Sequence, residues 1–147
     1  MNILTIALLG WTRAVGMLVL LISSWAMAGT APSRAATLEA IHQLENPRDL
    51  VRPGARGELG AYQFRVHTWQ MHTSLPFTRA LDRRTSDIIA VIHYEWLKAG
   101  LESARIPVTP YMIGLAWNGG LSAAVTGRSP RAAHAYAERA ANLASAL

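Results

Sequence analysis

Cysteine is absent from the 147-residue sequence, and the first 28 residues contain a single charged residue, Arg13. Without cysteine the chain has no disulfide bonds, no thiol chemistry and no thiolate metal site. The sequence also lacks a glycine-rich phosphate loop ahead of a helix, and its five histidines form no recognisable metal-ligand set with a carboxylate. We therefore expect neither a metal ion nor a cofactor.

The N-terminal segment, residues 1–28, has the features of a secretory signal peptide. A positive charge at Arg13 precedes an apolar run over residues 14–22, and residues 26–28 (Ala-Met-Ala) supply the small-x-small triplet of a cleavage site. We expect cleavage before Gly29. Because the stretch before Arg13 is long and apolar, an uncleaved membrane anchor is the alternative, since a span requires about 20 apolar residues. Either way the rest of the chain is expected outside the cytoplasm, in the periplasm or the extracellular space.

Cleavage would leave residues 29–147, enough chain for one domain with a modest core. Residues 29–36 are expected to form a short linker and residues 37–147 the domain. Removing Arg13 leaves thirteen basic side chains against nine acidic ones, a net charge of +4. That charge fits an ordinary solvated surface, or attraction to a polyanion such as the bacterial wall or to an acidic membrane face. Nucleic acid is not an expected partner, because the arginines are scattered and the chain is exported.

The domain is predicted to be mainly α-helical, with one short loop or β-hairpin inserted after its first helix. That helix covers residues 37–45 and ends at Asn46, because Pro47 disfavours helical backbone in the residue before it. Residues 47–61 contain too many prolines and glycines for a helix. Residues 62–66 alternate apolar and polar side chains and are rich in strand formers, which favours a short extended segment.

Three later helices are predicted from periodicity and capping. Residues 82–104 carry apolar side chains at helical spacing and predict a long buried helix. Residues 109–110 (Thr-Pro) and 129–130 (Ser-Pro) each combine a capping residue with proline at the first helical position, so two helices should begin there. Two glycines at 119–120 end the first of these, and the second continues to the C-terminus.

Glu45 has the local setting of a general acid. It lies in the last turn of the first predicted helix, where unpaired carbonyl groups carry partial negative charge and disfavour an ionised carboxylate. Apolar packing around the helix end would act in the same direction. Both effects raise the pKa, and a general acid must hold a proton near neutral pH. Taken alone, a solvated carboxylate at a helix end is the simpler interpretation, so the choice between it and a general acid depends on the residues that flank Glu45.

Three short motifs contain or follow Glu45. Residues 40–46 read Ala-Ile-His-Gln-Leu-Glu-Asn, residues 58–64 read Glu-Leu-Gly-Ala-Tyr-Gln-Phe, and residues 113–120 read Ile-Gly-Leu-Ala-Trp-Asn-Gly-Gly. In this order and spacing they resemble the lysozyme-like superfamily, specifically the soluble lytic transglycosylases and goose-type lysozymes. In that family a helix ends in Glu-Ser, a loop carries Gly-Leu-Met-Gln or Gly-Pro-Tyr-Gln-Ile, and a later helix carries Ala-Tyr-Asn-Ala-Gly. The resemblance covers about residues 36–140 and implies a lysozyme-like domain acting on peptidoglycan.

The resemblance implies that Glu45 is the catalytic acid. Substrate contacts are implied for other motif positions: Gln63, Asn118, Trp117, Tyr62, Asn46 and Gly60. Tyr136 corresponds loosely to a tyrosine that the family often places in its last helix. Two positions depart from the family. Asn46 replaces a serine that helps to orient the reacting sugar, and Trp117 replaces a tyrosine, which leaves an indole N–H in place of a phenolic hydroxyl.

The chemistry implied is cleavage between N-acetylmuramic acid and N-acetylglucosamine, with Glu45 protonating the glycosidic oxygen. A hydrolase adds a second carboxylate as base or nucleophile, and the possible second carboxylates are Glu58 and Asp49 in the glycine-rich insert. A lytic transglycosylase needs none, because the sugar's own 6-hydroxyl closes on the anomeric carbon and the same glutamate takes its proton. The single-glutamate mechanism is our expectation, and a lysozyme-type hydrolase is the alternative.

Histidines and tryptophans elsewhere are assigned structural roles. His67 and His72 lie five residues apart, a poor spacing for ligating a metal from one helix face. The expected core residues are His93, Trp69 and Trp96. The expected surface residues are His42 and His134, whereas Trp117 is expected in the sugar cleft.

Two classes of function remain open. The first is an exported enzyme whose partner is the peptidoglycan glycan strand, with membrane association through residues 1–28 if that segment is kept. The second is a non-catalytic wall-binding or scaffold protein with a degenerate lysozyme-like site. Glu45, Gln63 and Asn118 favour the enzyme, since a protein drifting from catalysis has no chemical reason to keep those residue types. The departures at Asn46 and Trp117 favour the second, and a membrane-anchored helical adaptor is a more remote third.

Overall fold

The computed structural model describes residues 32–147, so the predicted signal peptide or anchor and residues 29–31 of the predicted linker lie outside the described residues. The described chain is mainly α-helical, as predicted. Its helices are α1 (Arg34–Glu45), α2 (Val66–Gln70), α3 (Arg83–Ser103), α4 (Pro110–Gly119), α5 (Leu121–Val125) and α6 (Arg131–Ser145), with a 3₁₀ helix over Phe77–Leu81. Within these residues, none of the helices combines the length and the apolar character that a membrane span requires.

Helix α1 begins at Arg34, earlier than the predicted start, because Ser33 caps it. The Ser33 hydroxyl accepts a hydrogen bond from the Ala36 N–H at 3.2 Å. Residues 34–36 therefore belong to the helix and not to the linker. The end of the helix is as predicted: Glu45 is its last residue and Asn46 is the C-cap.

The segment between α1 and α2 is a loop held by one isolated antiparallel bridge, in which Leu59 and Phe64 exchange two backbone hydrogen bonds of 3.0 Å. The extended segment predicted over residues 62–66 is wrong. Residues 60–63 form the turn that closes the bridge, and Val66 is already the first residue of α2. Of the two predicted forms of the insert, the described residues adopt the loop.

Helix α3 is capped by Asp82, whose carboxylate accepts the Thr85 N–H at 2.9 Å. The predicted helix is confirmed, but the prediction that it is buried is wrong for one of its faces. Ile88, Ile92 and Trp96 follow one another at four-residue spacing along one stripe, and their exposed fractions are 56%, 41% and 42%. Their apolar character signals a helix, but no other described element covers this face.

Helices α4 and α6 begin near the predicted Thr-Pro and Ser-Pro steps but differ in their caps. Thr109 caps α4 by accepting the Met112 N–H at 3.1 Å, with Pro110 in the first turn, as predicted. At α6 the predicted serine cap is wrong, because Pro130 occupies the N-cap position. The Ser129 hydroxyl is instead buried without a partner among the described residues.

The close approach of α4 to α6 joins two parts of the domain that carry the motifs. A Cβ added at Gly114 in α4 would lie 3.1 Å from the Cβ of Ala140 and 3.2 Å from the Cα of Ala137 in α6, so any larger residue would push the two helices slightly apart. Helix α6 also packs against α1. It therefore links the end of α1, which carries Glu45, to the helix that carries the third motif.

Candidate active site

A cleft of about 500 Å³ lies between the end of α1, the loop before α2 and the end of α4. Its lining includes six residues singled out from the sequence: Glu45, Glu58, Tyr62, Gln63, Trp117 and Asn118. It also includes residues that the sequence did not single out: Gly54, Arg65, Thr68 and His93. The structure thus brings residues from all three motifs to one concave surface.

Glu45 is partly buried at the C-terminal end of α1, where it lines the cleft. Burial is the largest influence on the carboxyl and raises its pKa above the ordinary value of 4.5. The nearby charge of Glu58 raises it further, whereas a hydrogen bond from Tyr136 and the charge of Arg139 oppose the rise. The environment therefore favours the protonated carboxyl, as a general acid requires.

Tyr136 of α6 is the hydrogen-bond partner of Glu45. Its hydroxyl donates to Oε1 of Glu45 at 2.8 Å, and the tyrosine itself is only 5% exposed. Burial, followed by the Glu45 charge, raises the pKa of the phenol, so the tyrosine keeps its proton and acts as the donor. If the family's tyrosine at the position of Trp117 contacts the acid, the Trp117 indole N–H would have to make this contact here. Among the described residues Tyr136 makes it instead.

Gln63 occupies the turn of the loop with a positive φ of 44°, a strained backbone conformation for a residue other than glycine. Its Nε2 donates to the carbonyl of Gly60 at 3.0 Å, which fixes the amide. A Cβ added at Gly54 would lie 2.5 Å from Oε1 of Gln63 and 2.7 Å from Oε2 of Glu58. A side chain at Gly54 would therefore displace the amide of Gln63 and the carboxylate of Glu58 at this edge of the cleft. The sequence marked it only as a helix breaker.

Glu58 also lines the cleft, and its side chain is 17% exposed. The backbone N–H of Arg56 donates to Oε2 at 2.8 Å, and Nε of Arg65 lies 3.6 Å from Oε1. The Arg56 hydrogen bond is the main reason that the pKa of this carboxyl lies below its ordinary value. The cleft therefore holds one carboxyl that favours its proton and one that favours its charge, a pairing that separates acid and base roles.

Trp117, Tyr62 and Asn118 provide the aromatic and amide surfaces of the cleft. The Trp117 ring lies 6.0 Å from Tyr62 and 5.7 Å from Phe64, measured between ring centroids. The Tyr62 hydroxyl donates to Oδ1 of Asp87 at 2.9 Å, so its outer end is anchored to α3. Asn118 is exposed near the end of α4, where its amide is accessible to a ligand.

Asn46 and Gly60, predicted to contact substrate, hold the loop in place. Asn46 is buried, and its Nδ2 donates to the carbonyls of Leu50 at 3.0 Å and Gly60 at 3.2 Å, while its Oδ1 accepts the Leu50 N–H at 2.9 Å. Gly60 has a φ of 80°, and a Cβ there would lie 1.8 Å from the carbonyl oxygen of Ala80. Both residues are absent from the lining of the main cleft. Their polar groups hold the loop to the end of α1, and Asn46 also lines a smaller pocket that includes Glu45 and Gln63. Substrate contact by these two residues stays a prediction.

The other possible second carboxylate, Asp49, is also outside the main cleft. Its Oδ1 lies 3.0 Å from Nε2 of His42, and its Oδ2 accepts a hydrogen bond of 3.1 Å from Arg83. His42 is 6% exposed, so its predicted surface position is wrong. The loop and the first turn of α3 cover it, an arrangement that helical periodicity in α1 could not reveal.

Two further aromatic predictions have opposite outcomes. Trp69 is fully buried, as predicted, and its indole N–H donates to the Leu75 carbonyl at 2.9 Å. Trp96 is not a core residue, because it lies on the exposed stripe of α3. His93 is buried as predicted, but it also reaches the cleft.

Within residues 32–147, no group of three or more histidine or acidic side chains is arranged to hold a metal ion.

Comparisons with protein-family models, with curated proteins and with solved structures found no match to this chain.

Proposed function

We propose that the protein is an exported, lysozyme-like enzyme that cleaves the glycan strands of peptidoglycan, with Glu45 as the general acid. One observation carries the proposal: a partly buried carboxyl with a raised pKa lines a cleft together with Gln63 and Asn118. A perturbed acid in a cleft, next to polar groups able to orient a substrate, is the usual physical mark of an active site.

Glu45 has what protonation of a glycosidic oxygen requires. Burial raises its pKa toward the range that a general acid needs, and the bond from Tyr136 orients the carboxyl. With Oε1 engaged by Tyr136, Oε2 is the oxygen left to hold the proton and deliver it to the leaving sugar. The amides of Gln63 and Asn118 would position the glycan at either side of the scissile bond.

Within this proposal a lytic transglycosylase is favoured. Glu45 would protonate the departing sugar and then, as a carboxylate, accept the proton of the 6-hydroxyl that closes on the anomeric carbon. No second carboxylate takes part in that sequence. The hydrolase alternative rests on Glu58, which lines the same cleft and favours its ionised form, as a base or nucleophile must.

Export is part of the proposal because the proposed substrate lies outside the cytoplasm. The signal-peptide pattern of residues 1–28 supports it. N-terminal sequencing of the protein recovered after export should give Gly29 as the first residue. A chain that still begins at Met1 and fractionates with membranes would replace the signal peptide by an anchor and leave the catalytic proposal intact.

Analysis of reaction products tests the function directly. Purified peptidoglycan is incubated with the protein, and the soluble fragments are examined by mass spectrometry. Anhydro-muramic ends identify a transglycosylase, whereas reducing muramic ends identify a hydrolase. The Glu45→Gln protein, prepared in parallel, is the matched control and should release neither.

The wall-binding alternative predicts a different result from the same samples. A protein that sediments with peptidoglycan but releases no fragments would be a binding or scaffold protein, the class that the departures from the family motif at Asn46 and Trp117 favour. A protein that neither sediments nor releases fragments would refute both proposals.

A further inference from the structure

His93 and His72 form a hydrogen-bonded pair that the proposed catalytic steps do not use. Nδ1 of His93 lies 2.8 Å from Nε2 of His72. His93 comes from the middle of α3 and is only 6% exposed, yet it is one of the residues that line the cleft. It is therefore a polar ring set among aromatic side chains in the wall of the proposed active site.

Aromatic neighbours hold the His93 ring in one orientation. Trp96 stacks on it with an interplanar angle of 13° and a centroid distance of 5.7 Å, and Trp117 meets it edge-on at 4.7 Å. Phe64 approaches edge-on at 6.2 Å. With Nδ1 tied to His72 and the ring enclosed in this way, Nε2 has a fixed direction.

The Nε2 atom of His93 makes no hydrogen bond to any of residues 32–147, whereas Nδ1 is bonded to His72. In the same residues the fully buried side-chain nitrogen and oxygen atoms without a partner are the hydroxyls of Ser86 and Ser129. Nε2 is therefore not sealed in the core, and His93 is one of the residues that line the cleft.

The pair is suited to hydrogen bonding and not to carrying charge. Burial, with a smaller contribution from His72, lowers the pKa of His93 to about 3, so its imidazole is neutral at physiological pH. A neutral imidazole has one N–H and one acceptor nitrogen, and the bond at Nδ1 decides which role is left to Nε2. His72 thereby sets the tautomer of His93.

We propose that Nε2 of His93 hydrogen-bonds a polar substituent of the bound glycan, a hydroxyl or an acetamido group, and that His72 is the residue that positions it. This inference rests on the proposed function, since it takes a glycan as the ligand of the cleft. A rigid neutral ring adds binding energy without moving a proton. Its loss should raise KM and leave kcat nearly unchanged, because such a contact is equally strong before and during the reaction.

The first test observes the nitrogen itself, in the full protein carrying Glu45→Gln so that no cleavage occurs. Imidazole ¹⁵N spectra are recorded with chitotetraose, which carries acetamido groups, and with cellotetraose, which carries hydroxyls only. A change in the Nε2 chemical shift of His93 with both sugars indicates a hydroxyl, and a change with chitotetraose alone indicates an acetamido group. Binding of chitotetraose without any change at Nε2 would overturn the inference, and this readout does not depend on the folding of any His93 variant.

The second test uses variants of the otherwise unchanged protein with peptidoglycan as substrate. His93→Phe keeps an aromatic ring between Trp96 and Trp117 but removes the hydrogen bond, so KM should rise about ten-fold while kcat stays within about three-fold. His72→Leu should raise KM by about three-fold or more, and His72→Gln, whose amide can still bond to Nδ1, should restore it. His67→Gln, a change at an exposed position of α2 outside the cleft lining, is the matched control.

The failure of this inference can be told from failure of the proposed function. If the unchanged protein cleaves peptidoglycan and His93→Phe has the same KM, only the role of His93 is refuted. If the unchanged protein neither binds the sugars nor cleaves the wall, the glycan cleft itself is refuted and the inference with it.

Discussion

The Tyr136 hydroxyl donates a hydrogen bond of 2.8 Å to Oε1 of Glu45, although 91 residues separate the two in the sequence. The bond ties the last turn of α1 to α6, and both side chains lie where burial disfavours charge. In doing so it opposes the rise in the pKa of Glu45 that burial causes. The pKa of the acid is thus set by two opposing effects, and each can be changed separately by mutation.

Glu45→Gln should abolish wall cleavage while keeping the fold. Removing the proton donor should lower activity by about two to four orders of magnitude, the usual worth of general acid catalysis. The glutamine Oε1 can still accept the Tyr136 hydrogen bond, so the helix end should be preserved. The measurement is peptidoglycan solubilisation alongside far-UV circular dichroism, and full activity in the folded variant would end the catalytic assignment.

The same variant should show a pH-dependent gain in stability. The pKa of Glu45 is raised by folding, so its favourable contribution is complete below the unfolded value near 4.5 and is lost as the pH rises through the folded pKa. Glutamine cannot ionise, so Tm of Glu45→Gln relative to the unchanged protein should be higher at pH 8 than at pH 4. Thermal unfolding at the two pH values checks this, and a difference in Tm that is independent of pH would contradict the raised pKa.

Tyr136→Phe should move the pH profile of the reaction to higher pH. The tyrosine bond lowers the pKa of Glu45, so its removal should raise that pKa and keep the acid protonated further into the alkaline range. The alkaline limb of kcat/KM against pH should shift upward accordingly. Tyr111→Phe is the control, since the Tyr111 hydroxyl bonds to His134 and the residue is outside the cleft lining. An unmoved limb in Tyr136→Phe would mean that the bond does not tune the acid.

Glu58→Gln separates the two mechanisms. In a transglycosylase it should cost less than about ten-fold in kcat, since the substrate supplies its own nucleophile, whereas in a hydrolase the loss should approach that of Glu45→Gln. In either case, removal of the Glu58 charge should lower the pKa of Glu45 and shift the alkaline limb of kcat/KM against pH to lower pH. Steady-state kinetics with product analysis give both results, and a limb that stays in place would show that the two carboxyls do not interact.

Asn46→Ala and Asn118→Ala should have opposite consequences. Asn46 makes three hydrogen bonds inside the loop, so its loss should cost about 2–3 kcal/mol in the free energy of unfolding. Asn118 is exposed in the cleft, so its loss should change stability by no more than about 0.5 kcal/mol while raising KM. Urea unfolding and steady-state kinetics on both variants compare them. A raised KM with unchanged stability for Asn46→Ala would restore it as a substrate contact.

Gly60→Ala should destabilise the loop far more than Gly57→Ala. Both glycines have φ near 80°, but a Cβ at Gly60 would lie 1.8 Å from the Ala80 carbonyl oxygen, whereas one at Gly57 meets nothing within 4 Å. We expect a cost of about 1 kcal/mol at Gly57 from the backbone alone, and about 3 kcal/mol or more at Gly60. Chemical unfolding of the two variants measures the difference, and equal costs would contradict the close approach of the loop to Ala80.

Features governed by neighbours a few residues apart were predictable from the sequence. The end of α1 at Asn46 follows from Pro47, and the start of α4 follows from the Thr109 hydroxyl and Pro110. The placement of Glu45 in the last helical turn follows as well. Such features depend on backbone preferences and on bonds within one turn, which the local sequence contains in full.

Partners that lie far apart in the sequence were decided by the tertiary structure alone. The sequence singled out Glu45, but only the packing of α6 against α1 made Tyr136 its hydrogen-bond donor and burial the source of its raised pKa. The hydrogen bonds of the Asn46 amide to the carbonyls of Leu50 and Gly60 also depend on how the loop folds back on α1, which the sequence does not show. The position of Trp96 likewise depended on the tertiary structure: its apolar side chain predicted burial, but 42% of the residue is exposed. Residue type specifies what a side chain can bind, whereas its partner is chosen by which distant segment folds against it.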